Sequence, residues 1–309
     1  MDFIVRVAVL IPCYNEATTV AGVVSAFRAS LPGADIYVYD NNSQDETSVL
    51  SLNAGAIVRS EPRQGKGNVV RRMFADVEAD VYVMVDGDAT YDASAASSLV
   101  QRLVSDSLDM VVGARVADAK AAYRTGHRAG NKLITGVITW LFGRAFDDIL
   151  SGYRVFSRRF VKSFPALSSG FEIETELTIH ALQLSMPVAE IALPYEERPE
   201  GSVSKLSTWG DGFRILRTIL TLLKDEKPFL FFGVLGIVAA VASCALGFAV
   251  IVEFFQTGVV ARLPTAVLAM GLMLIAVRCL FCGAILDSVA RGRREMKRLI
   301  YLNFPALKQ

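Results

Sequence analysis

Across 309 residues the chain has only four cysteines, two histidines and a formal net charge of +1. So few thiols and imidazoles argue against a structural zinc module. The single CxxC, Cys279 with Cys282, lies in an apolar run, with His127 and His180 distant in sequence. The near-zero charge excludes a global basic field, so no nucleic-acid partner is expected. Two phosphate-binding signatures are missing as well: there is no GxxxxGK[ST], and no GxGxxG follows the first apolar run. Their absence argues against P-loop nucleotide hydrolysis and dinucleotide-dependent dehydrogenation. The amino terminus opens into a β-like run, without the cationic segment, apolar core and small-residue cleavage site of a signal peptide, so the first domain is expected in the cytosol.

What the chain has in excess is apolar surface. Its residues are 52% hydrophobic, with a mean hydropathy of +0.40, more than a soluble domain of this size needs. Two stretches, 229–255 and 263–289, each exceed the roughly 20 residues required to cross a bilayer. Lys224 and Lys227 precede the first, while Arg291, Arg293, Arg294, Lys297 and Arg298 follow the second, so the positive-inside rule puts both outer ends in the cytosol. The expected order is a catalytic domain over 1–207, an amphipathic juxtamembrane helix over 208–227 with Arg214 and Arg217, two spans within 228–290, and a basic tail over 291–309. Arg278 lies inside the second span, where a charge is costly. It reads either as a contact to a lipid phosphate or partner helix, or as a snorkelling residue.

The first hundred residues alternate short apolar runs (7–11, 36–39, 56–58, 81–85) with helical patterns (17–29, 67–77, 94–104). This rhythm predicts βαβ units and a mostly parallel sheet, whose ligands gather at the carboxyl ends of the strands. Polar motifs fall at those ends. The first run leads into Pro12, Cys13, Tyr14, Asn15 and Glu16, and the second into Asp40, Asn41, Asn42, Ser43, Gln44 and Asp45. A carboxylate there can accept a nucleobase N–H and Tyr14 can stack on a ring, although each motif also reads as an ordinary turn. Gly65, Lys66, Gly67 and Asn68 open a helix with a cation, suited to a phosphate. The fourth run ends in Asp86, Gly87 and Asp88, two like charges that a Mg²⁺ or Mn²⁺ ion bridging to diphosphate oxygens would relieve; a helix-capping turn is the plainer reading.

Taken in order, these motifs resemble the family-2 glycosyltransferases with the glycosyltransferase-A fold, and within them the dolichyl-phosphate mannosyltransferase and undecaprenyl-phosphate glycosyltransferase branch. Gly113-Ala114-Arg115, Ser151-Gly152-Tyr153-Arg154 and the segment from Arg198 to Lys205 continue the match. The resemblance implies an α/β, Rossmann-like, mostly parallel sheet followed by a two-helix transmembrane hairpin. It also implies a donor site for a UDP- or GDP-sugar made of Pro12, Tyr14, Asn15, Glu16, Asp40, Ser43, Lys66, Asp86, Gly87, Arg198 and Lys205. Asp86 and Asp88 would hold the metal, and Asp88, Arg115, Arg128 and Arg154 would carry catalysis. Two departures stand out: Ala89-Thr90 replaces the Leu-Gln pair of many relatives, and one extra residue separates Gly201 from Ser204.

The acceptor follows from cations beside apolar chain. Arg115 comes after a strand-like 110–112, with Arg124, Arg128 and Lys132 beyond it. A phosphate monoester suits arginine's planar fork, and Arg115, Arg128 and Lys132 are assigned to a lipid phosphate. The stretch 133–142 is too short to span a bilayer and reads either as an interfacial helix or as a buried one. A polyprenyl phosphate acceptor is already a nucleophilic dianion near neutral pH and needs no general base. A hydroxyl acceptor would need one, for which Glu172, Glu174 and Glu176 are candidates, although acids also suit the first turn of a helix. The expected activity is inverting transfer from a nucleotide-diphosphate sugar to a polyprenyl phosphate at the cytosolic leaflet of the cell membrane, with a homo-oligomer allowed. Transfer to a hydroxyl and a silent nucleotide-binding scaffold are the alternatives. A processive synthase is disfavoured, since the chain has no Gln-x-x-Arg-Trp.

Overall fold

Alternation of β-branched and aromatic residues with amphipathic helices produces one seven-stranded sheet. A computed structural model describes residues 5–116, 135–143, 146, 148–170, 172–194 and 220–307. The strands are β1 (Val7–Cys13), β2 (Asp35–Asp40), β3 (Ile57–Ser60), β4 (Val81–Met84), β5 (Met110–Val116), β6 (Arg154–Ser157) and β7 (Val188–Pro194). Their spatial order is β3-β2-β1-β4-β6-β5-β7. β1 to β4 are parallel, as the rhythm predicts. β6 runs antiparallel between β4 and β5, a reversal with no counterpart in the sequence pattern.

The helices are α1 (Val20–Ser30), α2 (Thr47–Asn53), α3 (Lys66–Asp76), α4 (Ala96–Ser105), α5 (Arg158–Ser163), α6 (Ile173–Gln183), α7 (Pro228–Thr257) and α8 (Leu263–Leu302). Most helices of the sheet domain bury one stripe, whereas α6 is buried around most of its circumference. In α1 the stripe is Val20, Val23, Val24 and Phe27, at helical spacing, against the buried residues Val9, Ile11 and Cys13 of β1. The short helix at 135–142 does the same: Ile138 and Leu141 are buried while Trp140 is exposed.

The chain divides into two units, one of residues 1–212 with 297–309, the other of residues 213–296. In the second, α7 and the first part of α8 pair through buried residues seven apart, all but Val250 of them small. Gly236, Ser243 and Val250 are buried on one helix, and Ala269, Ala276, Gly283 and Ala290 on the other. The Ser243 hydroxyl donates to the Ala269 carbonyl at 2.6 Å, and a Cβ on Gly236 would lie 3.1 Å from the Ala276 carbonyl. Both helices are long and apolar enough to cross a membrane. α8 also continues through the basic run expected as a separate tail, ending at Leu302.

Candidate active site

The register of the parallel strands gathers the motifs. Cys13 at the end of β1 stands beside Asp40 at the end of β2, and Asp86 follows β4 on the other side of β1. The first two polar loops are laced together. The Asn15 N–H donates to Ser43 Oγ (2.9 Å), the Gln44 N–H to Asn15 Oδ1 (2.8 Å) and the Glu16 N–H to Thr47 Oγ1 (2.9 Å). Asn15 takes a left-handed φ of 53°, a conformation asparagine tolerates. Asp45 accepts from the Ala17 N–H (3.2 Å) and from Thr47, so it holds loop to loop. The nearly buried Asp40 carboxylate accepts from the Ser43 N–H at 3.3 Å.

A residue that sequence reasoning took only as part of a turn completes this wall. The buried Asn41 side chain donates to the carbonyls of Glu61 (2.9 Å) and Arg63 (2.8 Å) and accepts from the Gly65 N–H (2.7 Å). It thereby ties the end of β2 to the loop that presents Lys66.

The Asp-Gly-Asp turn is locked from three sides. The Thr19 hydroxyl donates to the Gly87 carbonyl at 2.7 Å, and a Cβ on Gly87 would fall 2.5 Å from Cys13 Sγ, which is why only glycine fits between the two acids. Asp88 is buried, and its Oδ1 accepts from the Thr90 hydroxyl at 2.6 Å, across Ala89 at a positive φ of 59°. Thr90 thus caps Asp88.

Lys66 departs from the phosphate loop expected of it. α3 starts at this residue, yet its ammonium lies between two carboxylates, 2.5 Å from Asp86 Oδ1 and 2.6 Å from Glu174 Oε1. Burial opposes its charge, but the two acids hold the ammonium protonated, above the usual lysine range. The other face of Asp86 is equally close: a Cβ on Gly152 would be 2.3 Å from Asp86 Oδ2. The Gly152 N–H donates to the Tyr91 hydroxyl at 2.9 Å, and burial pushes that phenol well above its ordinary value.

Arg115 lies within β5, which extends past the expected 110–112, and engages Asp148 in a two-pronged pair at 2.6 and 2.8 Å. Burial raises the Asp148 carboxyl, but the hydrogen bonds and charge of Arg115 more than offset this and leave it below the usual carboxylate range. Arg154 is fully buried, and its fork is spent on the Ser151 carbonyl (2.9 Å), Thr178 Oγ1 (2.8 Å) and the Ile149 carbonyl. Burial lowers it to about 10, countered by the charges of Glu174 and Asp148, so it is protonated at neutral pH. The expectation of a catalytic Arg154 is corrected accordingly, because a side chain with no exposed surface anchors backbone and does not meet substrate. Glu172, Glu174 and Glu176 stand at the start of α6 as the helix-start reading expects, and Glu176 accepts from the N–H groups of Leu167 (2.9 Å) and Ser168 (2.8 Å).

Residues 8–162 match glycosyl transferase family 2. Glycosyltransferase AglJ of Haloferax volcanii is 33% identical over 296 residues, covering 95% of this chain and 97% of that one. The chain belongs to glycosyl transferase family 2. Another relative, the dolichyl-phosphate hexose transferase of Haloferax volcanii, is 25% identical over 220 residues, covering 71% and 95% of the two chains. Glucosyl-3-phosphoglycerate synthase of Mycobacterium tuberculosis shares the fold. One structure, with phosphoglyceric acid, has a TM-score of 0.59 at 22% identity, over 70% of this chain and 79% of that one. Another, with Mn²⁺, UDP-glucose and phosphoglyceric acid, has a TM-score of 0.55 at 23% identity over 71% and 79%.

In this family-2 glycosyltransferase the structure brings together Pro12, Tyr14, Asn15, Glu16, Asp40, Ser43, Lys66, Asp86, Gly87 and Asp88 around the ends of β1, β2 and β4. Arg128, Lys132, Arg198 and Lys205 lie outside the described residues. Among the described residues no group of three or more His, Cys, Asp or Glu forms a metal cage. The donor set that remains, Asp88 with Asp86 beside it, fits the mode in which a hard divalent ion takes one or two carboxylates and completes its shell with phosphate oxygens and water.

Proposed function

We propose that the chain transfers a sugar from a UDP- or GDP-sugar to a polyprenyl phosphate at the cytosolic face of a membrane, inverting the anomeric centre. The observation that carries this reading is the state of the acids that would serve a hydroxyl acceptor. Of the three candidate bases, Glu174 is buried on Lys66 and Glu176 is spent on two backbone N–H groups, which leaves only the half-buried Glu172 at the start of α6 to take a proton from substrate. An acceptor that is already ionised removes that requirement.

The nucleotide would lie over the ends of β1 and β2, with Asp40 on the base and the diphosphate toward Asp88. A Mg²⁺ or Mn²⁺ ion held by Asp88 would neutralise charge on the departing nucleotide diphosphate. Arg115, kept rigid by Asp148, would hold the acceptor phosphate with Arg128 and Lys132. One phosphate oxygen would then attack the anomeric carbon from the face opposite the leaving group. By the family resemblance, Arg198 and Lys205 would bind near the diphosphate. Two helices long enough to span a bilayer, the second carrying Arg291, Arg293 and Arg294 beyond its apolar stretch, support a membrane-bound enzyme with a cytosolic catalytic domain. The name of the dolichyl-phosphate hexose transferase relative supports a lipid acceptor.

The test is transfer of radiolabelled sugar to short-chain polyprenyl phosphates by the full chain in detergent, across UDP- and GDP-sugars, with Mg²⁺, Mn²⁺ or EDTA. A lipid product that EDTA abolishes is expected. A folded protein that binds nucleotide and glycosylates a hydroxyl compound but no polyprenyl phosphate would overturn the acceptor assignment.

A further inference from the structure

Six ionisable side chains of alternating sign run through the interior of the sheet domain. Asp86 is paired with Lys66, and Lys66 with Glu174. Arg154 is the next charge: it feels both Glu174 and Asp148, and its Nη1 donates to Thr178 Oγ1, which in turn donates to the Glu174 carbonyl at 3.2 Å. Asp148 then closes on Arg115. The array begins at the acid assigned to the donor and ends at the arginine assigned to the acceptor.

Glu174 is the member whose presence needs explaining. It is only 4% exposed, and Lys66 would be neutralised by Asp86 alone. Burying a second carboxylate is unfavourable unless its charge is used, and well-packed apolar side chains commonly replace such pairs without loss of stability. What the second carboxylate changes is direction. A lysine at the start of a helix, next to a site for a diphosphate, is drawn to phosphate oxygens. With Glu174 at 2.6 Å on one side and Asp86 at 2.5 Å on the other, the ammonium stays between the acids and fixes the Asp86 carboxylate against Gly152.

We infer that Glu174 is a positioning residue for sugar transfer, acting through Lys66 to hold the Asp86 carboxylate in place while touching neither donor nor acceptor. The inference rests on the donor end of the function proposed above and is independent of the acceptor's identity. A purely structural Glu174 would affect stability alone, and one that touched sugar would act without Lys66.

The experiment is a double-mutant cycle on the full chain in detergent with Glu174→Gln, Lys66→Met and both together. UDP and GDP affinity in Mn²⁺ is read by calorimetry, and kcat and donor KM are read on transfer and on hydrolysis of the sugar nucleotide by water. Glu174→Gln is expected to lower kcat by about 30- to 100-fold, with donor KM and nucleotide affinity within about threefold. The double variant is expected to be no slower than Lys66→Met. Losses that multiply in the double variant would overturn the inference by giving Glu174 a contact of its own. Unchanged kcat in Glu174→Gln would overturn it as well. Should Glu174→Gln not fold, Glu174→Asp keeps the charge but draws the carboxylate back by one methylene. It is expected to lose about fivefold in kcat at unchanged nucleotide affinity, and full activity would overturn the inference. A wild type that hydrolyses donor yet glycosylates no polyprenyl phosphate refutes the acceptor reading and leaves this comparison intact.

Discussion

Replacing Gly152 by alanine places one methyl group against the Asp86 carboxylate. The new Cβ would stand 2.3 Å from Oδ2, 2.9 Å from Cγ and 3.1 Å from Oδ1 of Asp86, whereas real Cβ atoms essentially never approach within 3.0 Å of another heavy atom. The gap must open by at least about 0.7 Å, since packed interiors do not absorb such overlap. Gly152 itself is poorly placed to yield, because its N–H is bonded to the Tyr91 hydroxyl at 2.9 Å and its φ lies outside the left-handed region, so alanine brings no backbone strain of its own. Asp86 therefore moves, taking with it the 2.5 Å contact to Lys66. A displacement near 1 Å at a reacting centre costs on the order of 10²-fold in rate, or about 2.7 kcal/mol of transition-state stabilisation. The expected result is a fall of that size in kcat/KM for donor in the radiolabel assay, measured on protein shown to be folded, since overpacking of this kind also costs roughly 1–3 kcal/mol of stability. Gly22→Ala is the control: a Cβ there meets nothing within 4 Å, and activity should be that of wild type. Wild-type kcat/KM in Gly152→Ala would refute the reasoning, since Asp86 would then not need its present position for transfer.

Three other outcomes are expected. Gly67→Ala sets a Cβ 2.1 Å from the Ser168 carbonyl, so α3 should shift at its start, with a loss of roughly 1–3 kcal/mol in stability measured by denaturant unfolding. The buried His180 donates to or accepts from Ser163 Oγ at 3.0 Å, packs against Phe160 and Phe164, and is held down to about 3 by burial, helped by the Lys297 charge. The unfolded chain thus binds a proton near pH 6.5 that the folded chain refuses, and stability present above that pH is lost as pH falls toward 3. Between pH 6.5 and 4.5 wild type should lose about 2–3 kcal/mol more than His180→Phe, read from unfolding midpoints, and parallel curves for the two proteins would contradict this. Ser243→Ala removes the 2.6 Å bond to the Ala269 carbonyl and should destabilise the helical hairpin by about 0.5–2 kcal/mol in a steric-trap or thermal assay in detergent, while activity per folded molecule is kept.

Local pattern determined a large part of this protein. Long apolar runs marked α7 and α8, and short apolar runs alternating with helical patterns marked β1 to β4 with α1, α3 and α4. Motif order along the chain marked the family and the acids at the strand ends. All of these follow from neighbours a few residues apart, for which one stretch of sequence is enough. Only the tertiary structure decided what those residues do to one another. Lys66 reads as a phosphate-binding cation until α6 delivers Glu174 beside it, and Arg154 reads as a site residue until β6 turns antiparallel and closes it inside the sheet domain. Gly152 is one member of a family motif, with no stated role, until its missing side chain makes room for Asp86, 66 positions earlier, and Arg115 finds Asp148 across 33 residues. Charge pairing and close approach depend on strand register and on where each loop returns, and those are set by the burial of the whole sheet, which no local stretch of sequence encodes.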